Sequence, residues 1–153
     1  MTDDDAAADF EVFLGEIEPG LRRALAGHLQ ADQVPDALAE AFAYAWQHWN
    51  RVRHLDNPGG YLFRVAQSRS RSRRQGWLHA AVPPSTPSVE PALATAMRAL
   101  PPQQRSAVWL VHGCGWTYGE VATALDISAS AVGTHVTRAL ARLRGQLGVV
   151  HGD

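Results

Sequence analysis

The residues best suited to chemistry in this chain are its arginines, and their spacing points to phosphate rather than to a catalytic centre. Within residues 51–74 lie Arg51, Arg53, Arg64, Arg69, Arg71, Arg73 and Arg74, faced by a single acid, Asp56. A guanidinium stays charged at any physiological pH, and its flat fork fits two phosphate oxygens at once. Such a cluster is the electrostatic footprint of a polyanion binder, although a solvated arginine face has the same composition. His54 lies beside it. A second set of donors sits near the C-terminus: Ser128, Ser130, Thr134, His135, Thr137 and Arg138. Their hydroxyl, imidazole and guanidinium groups reach base edges or phosphates if one helix presents them together.

No pattern for bond-making accompanies these donors. The seven histidines are scattered, and neither a Ser/His/Asp order nor a glycine-rich phosphate loop is present. His112 and Cys114 form the only tempting metal pair. Zinc needs three or four ligands, and no second cysteine or histidine stands at ligand spacing. The expectation is therefore no catalytic residue, no metal and no cofactor. Cys114 reads as a small apolar filler, and a lone cysteine fits a reducing compartment. No apolar run reaches the roughly 20 residues that span a bilayer. The start, Met1-Thr2-Asp3-Asp4-Asp5, lacks the basic and apolar regions of a signal peptide, so a cytoplasmic protein without membrane insertion is expected.

The formal net charge of -1 argues against nucleic acid until its distribution is read. Seven of the 15 acids (Asp3, Asp4, Asp5, Asp9, Glu11, Glu16 and Glu18) fall in the first 18 residues. The rest of the chain carries 14 basic residues, all arginine, against eight acids. Local clustering decides what a surface attracts. The acidic segment 1–18 is expected to be a disordered, solubilising tail.

The elements that must position the donors are helices, so the expected fold class is all-α. Leu21, Leu25 and Leu29 mark a first helix over about 20–30. Leu38, Phe42, Trp46 and Trp49 step by four, four and three, placing a second helix over 35–49 with Trp46 in its core-facing stripe. Asn57 can cap a third helix, and Pro58 suits its first turn because the missing N–H has no partner there anyway. That helix loses its apolar face after Ala66 and continues as a basic extension. Pro83, Pro84, Pro87 and Pro91 then mark a linker over 76–91. Two small helical domains, 19–75 and 92–147, are expected on either side of it. In the second, Thr117 and Glu120 have the spacing of a capping box, in which each side chain bonds the other's backbone N–H. Ser128 caps a final helix with Val132, Val136, Leu140, Leu143 and Leu147 inward. A short and a long helix parted by Asp126-Ile127-Ser128 match a helix-turn-helix, whose second helix enters the major groove.

Particular segments carry a resemblance. Ala99-Leu100-Pro101-Pro102-Gln103-Gln104-Arg105, Trp116-Thr117-Tyr118-Gly119-Glu120-Val121-Ala122, Leu125-Asp126-Ile127-Ser128 and Arg138-Ala139-Leu140-Ala141-Arg142-Leu143-Arg144 resemble region 4 of extracytoplasmic-function sigma factors. Asp36-Ala37-Leu38-Ala39-Glu40-Ala41-Phe42 with Ala45-Trp46, followed by Asn57-Pro58-Gly59-Gly60-Tyr61-Leu62-Phe63-Arg64-Val65-Ala66, resembles region 2. Both occur in the family's order. The resemblance implies a factor that binds bacterial core RNA polymerase and promoter DNA and is restrained by an anti-sigma factor.

Residue by residue, it implies clamp contacts on the polar face of 35–49, through Asp36, Glu40 and Gln47. It implies capture of a flipped base of the -10 element in the loop 50–56, where Arg51, Arg53 and His54 stand. Arg64, Arg69, Arg71, Arg73 and Arg74 would hold backbone nearby, and the helix from Ser128 would read the -35 element. The chain departs from the family at Ala39, at Gln67-Ser68 and in the next turn. Gly133 and His135 also stand where a lysine and an arginine are common. Two other readings share these features: a stand-alone helix-turn-helix regulator, and a sigma-like protein that acts only through protein contacts.

Overall fold

The computed structural model describes residues 2–71 and 91–148, all of them in helices, turns and short connections. Helix α1 spans Asp3–Ala26, and a 3-10 turn at Ala31–Gln33 leads into α2 (Val34–Gln47). Then come α3 (Trp49–Val52) and α4 (Pro58–Arg71). The second half holds α5 (Pro91–Arg98), α6 (Pro102–Val108) running into a wide turn at Trp109–Gly113, α7 (Tyr118–Leu125) and α8 (Ala129–Leu147). The expected linker lies outside the described residues, apart from Pro91, which opens α5.

The acidic N-terminus is helical rather than a tail. Thr2 caps α1 by accepting from the Asp5 N–H (3.2 Å), and Asp5 answers by accepting from the Thr2 N–H (3.4 Å). Asp3, Asp4 and Asp5 occupy the first turn, where the helix dipole favours negative charge. Phe10 and Phe13, three residues apart, then fall on one face. Phe10 meets the rings of Trp46 and Trp49 at 5.0 and 5.1 Å, and Phe13 meets Trp49 at 5.0 Å. Two aromatics docked on α2 and α3 hold a segment whose composition alone reads as solvated.

Helix α2 buries Val34, Ala37, Leu38, Ala41 and Ala45. This stripe is rotated from the expected one, and Trp46, placed in the core by its spacing, is 47% exposed. Three alanines let α2 approach its neighbours closely, which leaves the larger rings of Phe42 and Trp46 at the margin. Helix α4 starts as expected, with the Gly60 N–H donating to Asn57 Oδ1 (3.1 Å). Its Leu62, Phe63 and Ala66 are fully buried.

The two halves do not keep separate cores. One buried cluster runs from Leu21, Leu25 and Phe63 through to Leu110, Val121, Val132 and Val136. A smaller cluster of Met97, Leu100, Val108, Ala139 and Leu143 ties α5 and α6 to α8. At the seam His28 is buried, its Nδ1 at 2.9 Å from the Ala24 carbonyl and its Nε2 at 2.8 Å from the Ser106 hydroxyl. The Trp109 indole N–H donates to the Arg23 carbonyl (3.3 Å), and the ring passes so close to Gly27 that an added Cβ would sit 2.1 Å from it. Asn57 donates to the Glu120 carbonyl (3.3 Å), and Phe63 meets Trp116 edge-on at 5.7 Å.

Candidate nucleic-acid interface

The first face is built where α2, α3 and α4 meet. Tyr44 on α2 and Tyr61 on α4 bring their hydroxyls to 2.7 Å, and this hydrogen bond raises the Tyr44 pKa. Arg51 from α3 donates to the Tyr61 hydroxyl and, at 3.2 Å, to that of Tyr44. Its guanidinium carbon lies 5.6 Å from the centre of the Tyr61 ring, and that of Arg69 lies 5.3 Å from the Tyr44 ring. His48, which ends α2 one turn beyond Tyr44, stacks on it at 4.1 Å. Two guanidinium groups, two phenols and an imidazole thus share one patch. Stacked rings take bases and the cations take phosphates, the combination that single-stranded nucleic acid requires.

Of the residues singled out by sequence, the structure brings Arg51 and Arg69 together and separates the others. Arg53 turns toward α1, 5.8 Å from the Trp49 ring and 3.5 Å from Asp9. His54 is exposed in the connection after α3. Arg64 reaches across to Asp126 at 3.5 Å, an exposed pair of the kind that contributes little stability. Arg71 ends α4, while Arg73 and Arg74 lie outside the described residues. Tyr44, His48 and Tyr61 were not legible as site residues. Only the basic run offered a signal, and nothing in the sequence says that α2 and α4 place these rings side by side.

The second face is the helix-turn-helix. Both capping residues act as the spacing predicts. The Glu120 N–H donates to Thr117 Oγ1 (3.1 Å) and the Thr117 N–H to Glu120 Oε1 (2.9 Å), while the Ala131 N–H donates to Ser128 Oγ (3.0 Å). Asp126 ends α7 in the left-handed conformation (φ 57°, ψ 48°) that usually falls to glycine and that aspartate tolerates. Along α8, Val132, Val136, Ala139 and Leu143 face inward. An open groove of about 450 Å³ on the outer side is lined by Tyr118, Ser130, Gly133, Thr134, Thr137 and Arg138. His135 does not join it; the ring is half-buried and its Nδ1 has no hydrogen-bond partner among the described residues. The Ser128 hydroxyl is committed to the cap.

Residues 91–143 match the family model of sigma-70 region 4. Two solved structures share the whole architecture. One is the sigma factor RpoE from Bartonella quintana, crystallised with the anti-sigma factor NepR: 23% identical, TM-score 0.70, with 92% of this chain and 98% of that one covered. The other is CnrH in complex with the cytosolic domain of CnrY: 22% identical, TM-score 0.67, with 95% and 94% covered. The chain has the fold of an extracytoplasmic-function sigma factor. Its α5–α8 contain the segment that matches region 4. No curated protein matches the sequence.

The residues expected to face polymerase lie on α2. Asp36 and Gln47 are exposed on α2, and Glu40 is half-buried between them. Among the described residues no cluster of His, Cys, Asp or Glu is suited to a metal. Burial pushes the Cys114 thiol up to about 12, so it carries no thiolate at neutral pH. No helix among them is long and apolar enough to cross a membrane.

Proposed function

We propose that this chain is a sigma factor that binds bacterial core RNA polymerase, recognises -10 and -35 promoter elements and so directs transcription initiation. The observation that carries the reading is the pairing, in one chain, of an arginine–tyrosine patch in region 2 with a capped helix-turn-helix in region 4. Arg51, Arg69, Tyr44 and Tyr61 would hold the unpaired -10 strand, the cations fixing phosphate and the rings stacking bases. Ser130, Thr134, Thr137 and Arg138 would face the -35 major groove. Asp36, Glu40 and Gln47 would meet the polymerase clamp. Chemistry stays with the polymerase, and this chain supplies position and strand capture. An anti-sigma factor is the partner expected to restrain it, as the complexes of the two similar structures suggest.

The seam between the regions has a consequence for this role. Elements at -35 and -10 are about 25 base pairs apart, or roughly 85 Å at 3.4 Å per step. A compact chain of this size has a radius of gyration of about 15 Å. Engaging both elements therefore requires α4 and α7 to part, releasing Arg64 from Asp126.

Reconstitution with core polymerase tests the reading. Co-elution is expected, with transcripts from a genomic library that share a -35/-10 pair and are lost on Arg51→Ala and Arg138→Ala. Absence of co-elution refutes it. A stable homodimer on a palindromic site would instead identify a stand-alone regulator.

A further inference from the structure

The groove beside α8 is floored by a ring from α7. Position 133 of α8 has no side chain, and the ring of Tyr118, the first residue of α7, lies over it. A Cβ at Gly133 would come within 3.3 Å of Tyr118 Cε2. The ring therefore fills the place where a recognition-helix side chain would stand. It is 43% exposed, in a fold that buries most of its large apolar groups.

The surroundings define what this ring can meet. The Thr134 hydroxyl donates to the Ser130 carbonyl (3.2 Å), which leaves its methyl as the free end of that side chain. Thr137 contributes a second short side chain to the groove wall. Arg138 carries no hydrogen bond or ion pair among the described residues. The groove thus offers the Tyr118 ring and the Thr134 methyl beside hydroxyls and a guanidinium. Of the four bases, only thymine presents an apolar group in the major groove, its C5 methyl.

Resting on the sigma reading, we propose that Tyr118, seated on Gly133, is a specificity-determining residue that takes the C5 methyl of one thymine in the -35 element. Arg138 binds the adjacent acceptors or phosphate. Ring and glycine act as a pair, since a larger residue at 133 displaces the ring and Tyr118→Ala empties the floor.

The test uses holoenzyme made from the full chain and core polymerase, bound to a promoter duplex identified by transcript mapping. Each -35 thymine is replaced singly by deoxyuridine, which removes the methyl and nothing else. Burying one methyl corresponds to about a fourfold change in affinity. One position is expected to lose about fourfold with the wild type and with Tyr118→Phe. With Tyr118→Ala the two bases at that position become equivalent. Methyl sensitivity that survives Tyr118→Ala, or none at any position, overturns the assignment while leaving the sigma reading intact. If wild-type holoenzyme binds no duplex, the sigma reading fails and takes this inference with it. Since Tyr118 is exposed at a helix start, loss of folding is not the expected result, and the phenylalanine variant separates ring from hydroxyl.

Discussion

His28 makes the seam between the two regions sensitive to acid. Burial pushes its pKa from 6.5 down to about 4, with the Arg105 guanidinium lowering it further and the Ala24 carbonyl opposing. The neutral ring is well served: Nδ1–H donates to Ala24, and Nε2 accepts from the Ser106 hydroxyl. A folded pKa below the unfolded one means that the unfolded chain binds more protons, so stability rises with pH across this window. The His28 contribution is complete above about pH 6.5 and is lost as pH falls toward 4. Between pH 7.5 and 5 the linkage relation gives a loss of about 2 kcal/mol. Carboxylates titrate over part of the same range, so the comparison must be with a variant. Gln at this position keeps one donor and one acceptor but does not titrate. Urea unfolding of wild type and His28→Gln at pH 7.5 and 5 should show the wild type losing about 2 kcal/mol more than the variant. The variant will start less stable, since it loses the ring contact with Phe63, but only the difference in slope reports on the proton. Equal losses in the two proteins would refute the account.

Gly27→Ala should strain the same seam, because its Cβ meets the Trp109 ring; a loss of about 1–3 kcal/mol is expected in thermal or urea unfolding. Thr117→Ala removes an N-cap and should cost about 1 kcal/mol, read as lower stability and weaker -35 binding at unchanged helix length. Phe10→Ala should release the start of α1 from Trp46 and Trp49, seen as faster amide exchange over residues 3–12 with little change in α7 and α8. On the proposed function, Arg51→Ala should weaken promoter binding and lower its salt dependence by about one counterion, whereas Arg64→Ala should change little while the two halves stay packed.

What the sequence by itself determined is whatever depends on a few neighbouring residues. The Thr117–Glu120 capping box, the Ser128 cap and the Asn57-Pro58 start appear where their spacing puts them, because a cap is a bond between a side chain and a backbone three residues away. The all-α class and the helix-turn-helix were legible for the same reason, as period and turn chemistry are local. Tertiary structure alone decided which part of a broad apolar stripe is covered. It turned Trp46 outward and buried three alanines of α2, since small residues let helices approach and rings do not fit between them. It made a helix of the acidic N-terminus, through aromatic contacts with residues more than thirty positions away. It assembled Tyr44, His48, Arg51, Tyr61 and Arg69 into one patch, turned His135 away from the groove and laid Tyr118 over Gly133. The sequence holds the groups proposed to meet nucleic acid, but their grouping follows from long-range packing, which no local spacing encodes.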